Sequence, residues 1–165
     1  FEQLSEVAKE IFVPQKKYQR RINFLNEYSV AHIRRGDKVD GKWKEGKYHE
    51  LSEYLDCLDE PYENIFVMSD SPDVANEAKE LGCMIDETEE RRDGYVYKFY
   101  HEDCFSDDDI EDELKIFFKN MNIFSNASKL VGSNASYYYV LGQLLNGKKG
   151  TSLSDNIYYK NRLWK

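Results

Sequence analysis

At 165 residues the chain has the length of one domain that can bury a substantial core. Hydrophobic residues make up 41% and aromatic residues 15%, with nine glycines and three prolines, which excludes a disordered, fibrous or repetitive class. A net charge of −8, with acidic residues gathered in 86–93 and 102–113, excludes a general nucleic-acid or anionic-membrane surface, so any phosphate site must be local.

Residues 1–12 place Phe1, Leu4, Val7, Ala8, Ile11 and Phe12 at helical spacing, and Pro14 breaks this run before a second, basic helical stretch reaching about residue 26. The apolar run 28–33 contains β-branched residues and ends abruptly in charge at Arg34, which predicts a buried strand followed by a loop through Gly36, Asp40 and Gly41. Helical spacing returns over 48–58 through Leu51, Tyr54, Leu55 and Leu58. A second strand is expected at 64–68. Ser69, Asp70, Ser71 and Pro72 then signal a helix start, and the helix over 73–81 closes at Gly82 in the left-handed conformation that glycine adopts at little cost. Residues 83–85 read as a brief third strand before a long acidic loop.

A helix is predicted over 109–124, acidic at its N-terminal end as the macrodipole favours. A fourth strand at 129–131 follows, then Ser133 as N-cap of a helix over 135–146 that closes at Gly147. Alternating strands and helices imply an α/β fold, a Rossmann-like parallel sheet flanked by helices. Cys57, Cys83 and Cys104 are odd in number and widely spaced, matching neither a disulfide framework nor paired zinc ligands. With no signal-peptide pattern, they favour reduced thiols in the cytoplasm. No apolar run approaches the ~20 residues of a membrane span.

In an open parallel sheet, ligands collect at the carboxyl ends of the strands. Arg34 and Arg35 after the first strand, and Gly132, Ser133, Asn134, Ala135 and Ser136 after the fourth, both fall on that edge. The first segment supplies guanidinium forks for phosphate oxygens. The second supplies backbone N–H groups and small side chains at a helix N-terminus. Together they suit a diphosphate without a metal. Strand alternation lets one arginine face the ligand while the other packs inward, and Arg35 is the one expected in the site. For His32 two readings stay open, a hydrogen-bonded structural histidine or a ligand contact. Tyr137, Tyr138 and Tyr139 are read as packing, the sequons at Asn126 and Asn134 as unmodified, and the acidic stretch 102–113 as a solvated face.

Three segments in order, Val30-Ala31-His32-Ile33-Arg34-Arg35-Gly36-Asp37-Lys38, Ile65-Phe66-Val67-Met68-Ser69-Asp70-Ser71-Pro72-Asp73 and the run from Phe124 to Ser136, resemble the GT-B glycosyltransferases of the alpha-1,6-fucosyltransferase and nodulation-fucosyltransferase type. A fourth, from Ser152 to Tyr159, is similar to that family's C-terminal segment. The resemblance implies that residues 1–165 form a single donor-binding domain equivalent to the C-terminal half of a GT-B enzyme, with the N-terminal acceptor half absent.

It further implies GDP-fucose as donor, a glycan as acceptor and inverting transfer without a metal. His32 would then lie near the nucleotide, Arg35 and Lys38 near the diphosphate, and Asp37 would organise their loop. Ser133, Asn134, Ala135 and Ser136 would hold the phosphates, with Arg34 and Arg35 stabilising the leaving group. Inversion needs a base to take the acceptor proton. The family's glutamate falls on Lys42, leaving Asp40, Glu45 or Glu50 as substitutes. Asn120 stands near the position where the family reads guanine with an aspartate, and an amide cannot accept both guanine donors. The alternative reading is a catalytically silent module that binds a nucleotide or glycan on the same fold.

Overall fold

A computed structural model of the chain describes residues 1–12, 27–35, 47–87, 107–134 and 136–154. Four parallel strands, β1 (Ser29–Ile33), β2 (Ile65–Ser69), β3 (Leu130–Ser133) and β4 (Thr151–Ser154), pair in the order β2-β1-β3-β4. Every residue of β1, β2 and β3 is buried, which is why the first two read as continuous apolar runs: both faces of the sheet are covered.

Side chains alternate between two cores. Ala31, Ile33, Ile65, Val67 and Val131 point to one face, where they meet α2 (Leu51–Leu58) through Leu51, Tyr54, Leu55 and Leu58, and α3 (Pro72–Glu80) through Val74 and Ala78. Val30, Phe66, Met68 and Leu130 point to the other, against α4 (Asp107–Asn126) through Met121 and Phe124 and against α5 (Tyr137–Asn146) through Tyr139 and Leu145. The first helix, α1 (Glu2–Ile11), lies on α5 with Ser5 donating to the Leu144 carbonyl at 2.7 Å, while Leu4, Val7 and Ile11 of its apolar stripe are exposed.

Three expectations need correction. The third strand over 83–85 is a single parallel bridge between Met84 and Phe66, held by Met84 N–H to Ile65 O and Val67 N–H to Met84 O, both 2.8 Å. With Asp86 following at once, the apolar run is too short to extend the pairing. The strand at the sheet's far edge, β4, lies where the polar sequence Thr-Ser-Leu-Ser gave no strand signal; its Leu153 packs against the core. The N-cap of α5 is Ser136 and not Ser133, which ends β3; Ser136 N–H donates to Ser133 O at 2.9 Å across a tight turn. The basic helical stretch expected up to residue 26 lies outside the described residues. Gly82 and Gly147 do carry the left-handed backbone, at φ 85° and 81°.

Counting the Met84 bridge as a rudimentary strand beside β2, the sheet has the order 3-2-1-4-5, five positions of the doubly wound 3-2-1-4-5-6 arrangement. The molecule is therefore α/β and Rossmann-like. The chain leaves β1 toward α2 on one face and leaves β3 into α5 on the other. The switch point, the place where ligands collect in such sheets, lies between those two strand ends. No described helix is long and apolar enough to cross a membrane.

Candidate functional site

Parallel pairing of β1 with β3 brings the residues that follow each strand to one edge, and Asp70 ties those after β1 to β2. One Asp70 oxygen accepts the Arg35 N–H at 2.8 Å, and the other forms an ion pair with Arg34 Nη1 at 2.8 Å. Asp70 thus fixes both the backbone and one side chain of the arginine pair. Sequence reasoning had seen it only as part of a helix start, although its place directly after a buried strand was the available signal.

The two arginines diverge as strand parity requires. Arg34 follows the Val30 and His32 face, with its side chain 24% exposed. Arg35 follows the Ala31 and Ile33 face and is only 8% exposed. So Arg35, the member expected to face the ligand, is the one that packs inward. Its Nη2 donates to the His49 carbonyl at 2.5 Å, and its guanidinium lies 4.2 Å over the Tyr48 ring. Its Nη1 is buried and has no hydrogen-bond partner. The Tyr54 phenol beside it is pushed up by burial, and the nearby guanidinium charge offsets part of that rise.

His49 opens α2. Its Nδ1 contacts Glu53 Oε1 at 3.0 Å, and Glu53 also accepts the Glu50 N–H at 2.8 Å. These hydrogen bonds, His49 first, hold the Glu53 carboxyl below its ordinary range. Glu50 itself is exposed at the helix start.

His32 is 7% exposed inside an aromatic box. Its ring stacks on Tyr138 at 5.7 Å and 15° and on Tyr139 at 6.1 Å and 14°, with Phe124 at 5.7 Å. Burial first, and the Arg34 charge second, push its pKa down to about 3, so the imidazole is neutral at pH 7. Its Nδ1 has no hydrogen-bond partner. Asn120 lies on the buried stripe of α4 with Phe117, Met121 and Phe124; it is 4% exposed and its Oδ1 meets no donor.

The turn after β3 is held from within. Asn134 N–H donates to Ser152 Oγ at 3.2 Å, and Gln143 Nε2 donates to Asn134 Oδ1 at 3.1 Å. Gln143 Oε1 accepts the Gly150 N–H at 2.9 Å. The Asn134 and Ser136 amides therefore already have partners within the protein. The first turn of α5, 137–139, begins at this same edge, so the positive end of the helix dipole lies there. Gln143, a single polar residue in the run Val140-Leu141-Gly142-Gln143-Leu144-Leu145, was the sequence signal for this network.

Among the predicted site residues, the fold gathers Arg34, Arg35, Ser133, Asn134 and Ser136 along one sheet edge, with His32 beneath them on β1. Asp37, Lys38, Asp40, Glu45 and Ala135 lie outside the described residues, as does Lys42. Among the described residues, no group of three His, Cys, Asp or Glu side chains is placed to hold a metal ion. No protein-family model matches this sequence, and no curated protein matches it at a significant level.

Proposed function

We propose that this chain is the nucleotide-sugar-binding domain of a glycosyltransferase, with the donor diphosphate seated between the carboxyl ends of β1 and β3. The observation that carries this reading is the coincidence of the topological switch point with Arg34 after β1 and the start of α5 after β3. The guanidinium and the positive end of the α5 dipole would flank the anion, and both keep their charge or polarity throughout the working pH range. Charge that builds on a departing diphosphate meets fixed dipoles and a fixed cation, which lowers the barrier without solvent reorganisation.

The resemblance in the sequence supplies the finer proposal: GDP-fucose as donor, a glycan hydroxyl as acceptor, inversion without a metal, and Asp40 or Glu45 as the base. Lys38 joins Arg34 at the diphosphate. Arg35 and Asp70 shape the turn that presents Arg34. Calorimetric titration with GDP, UDP and GDP-fucose in the presence of a chelator tests it, with GDP and GDP-fucose expected to bind more tightly than UDP. Absence of binding by all three overturns the reading. The substitution of lysine for the family's glutamate at position 42 favours a second reading, a domain that binds donor without transferring it. Release of fucose from GDP-fucose decides between the two.

A further inference from the structure

We infer that Arg35 Nη1 and His49 Nε2 together hold one hydroxyl group, the guanidinium donating to its oxygen and the imidazole accepting its hydrogen. The inference goes beyond the diphosphate reading above and does not depend on it.

Among the described residues, two that touch each carry a buried polar atom with no hydrogen-bond partner, Nη1 on Arg35 and Nε2 on His49. The residues are 8% and 7% exposed. Arg35 Nη2 donates to the His49 main-chain carbonyl at 2.5 Å, so guanidinium and histidine lie together where the chain after β1 meets the start of α2. A polar atom buried without a partner is costly, and two of them on touching residues call for a shared one.

The polarity of the two atoms defines that partner. A guanidinium nitrogen can only donate. The polarity of His49 is set from its other nitrogen: Nδ1 lies 3.0 Å from Glu53 Oε1, and the second Glu53 oxygen accepts the Glu50 N–H at 2.8 Å. Those bonds, His49 first, hold the Glu53 carboxyl below its ordinary range, so it is ionised at neutral pH and can only accept. The hydrogen of the neutral imidazole therefore sits on Nδ1 and leaves a lone pair on Nε2. A phosphate or carboxylate would be repelled by that lone pair, and an ammonium ion by the guanidinium. A hydroxyl oxygen accepts and donates at one atom and satisfies both. Water and a sugar hydroxyl share this chemistry.

Nitrogen-resolved NMR of the histidine rings at pH ~8, above the ordinary histidine range of ~6.5, tests the polarity in the wild type. His49 should show its hydrogen on Nδ1 and an unprotonated, hydrogen-bonded Nε2. A hydrogen on Nε2, or a lone pair there without a hydrogen bond, overturns the inference. Urea unfolding of wild type, Arg35→Met, His49→Leu and the double variant tests the shared partner. Arg35 Nη2 binds the His49 main chain, which His49→Leu retains, so coupling between the two side chains passes through the ring. The midpoint shift caused by Arg35→Met should shrink by about half in the His49→Leu background, and equal shifts in the two backgrounds overturn the inference. Should a variant not fold, the wild-type spectrum decides. Titration with N-acetylglucosamine separates the sources: an Nε2 signal that moves assigns a sugar hydroxyl, and one that stays assigns water. GDP affinity enters none of these readouts, so failure here leaves the diphosphate reading intact.

Discussion

Replacing Arg35 and Arg34 in turn by methionine separates an arginine that holds the fold from one that the proposed function sets against a ligand. The Arg35 guanidinium makes one charge-assisted hydrogen bond, to His49 O at 2.5 Å, worth ~1.5–3 kcal/mol. Its position 4.2 Å over Tyr48 adds roughly 0.5–2 kcal/mol. Against these stands the buried Nη1 without a partner, whose removal returns about 1–3 kcal/mol. Methionine fills much of the same volume but leaves the His49 carbonyl unpaired, so the net loss of stability is about 2 kcal/mol. Arg34 differs. Its pair with Asp70 is partly exposed, at 24% and 16%, and such pairs contribute at most ~1 kcal/mol. Asp70 keeps its bond to the Arg35 N–H in that variant. Urea unfolding and GDP calorimetry on the same preparations should show Arg35→Met shifted in midpoint, and Arg34→Met near wild type in midpoint but weakened about a hundredfold toward GDP, as loss of a guanidinium–phosphate contact implies. An Arg35→Met protein that unfolds like wild type yet binds no GDP would refute this division.

Three further outcomes follow from the packing and the charges. A Cβ at Gly132 would stand 2.6–2.8 Å from ring carbons of the fully buried Tyr139, so Gly132→Ala should lower stability by about 1–3 kcal/mol in a thermal melt; an unchanged melt contradicts the close approach. Lys119 and Asp86 form an ion pair with side chains 8% and 11% exposed, so Lys119→Met should cost about 3 kcal/mol by taking the cation from a largely covered carboxylate; adding Asp86→Leu should restore part of it, and additive costs would count against the pairing. His32 has a folded pKa of about 3, below the ~6.5 of the unfolded chain, so the unfolded state binds the extra proton. Its contribution is therefore fully present above pH ~6.5 and falls progressively as pH drops toward 3. Urea midpoints at pH 7 and pH 5 should differ more in wild type than in His32→Phe, and an equal difference would show that His32 is not the buried neutral group.

How far the sequence disclosed this arrangement depends on whether side chains or only the backbone carried the signal. The spacing of Leu51, Tyr54, Leu55 and Leu58 marked α2 because those side chains fill one core, and the runs in β1 and β2 stood out because both faces are buried. The Met84 bridge and β4 are main-chain pairings with little apolar content, and no pattern of side chains distinguishes them from loop. At the site, the edge was legible from Arg34 and from the small residues before α5. The division between the two arginines was not. Parity puts them on opposite faces, but which face holds a carbonyl and an aromatic ring for a buried guanidinium depends on Tyr48 and His49, twelve or more residues later in the chain. Asp70 escaped notice for a related reason: a Ser-Asp-Ser-Pro run reads equally well as a helix start, and its second use appears only once β2 lies beside β1.

A protein with a net charge of −8 can hold an anion only if the charges around the site are arranged locally, and this edge does so with few groups. His32 contributes no positive charge, because burial and Arg34 keep it neutral. Arg35 spends its charge inside the α2 face. Asp70 lies against Arg34 and reduces its field at long range. What remains at this edge is therefore short-range: one guanidinium steered by Asp70 and the positive end of the α5 dipole. Such a set attracts little from a distance and, on the proposed reading, acts on a diphosphate only at contact, where fixed dipoles are strong. On that reading the net negative charge repels bulk polyanions while the edge takes a small one, so preference for a nucleotide over nucleic acid needs no further device.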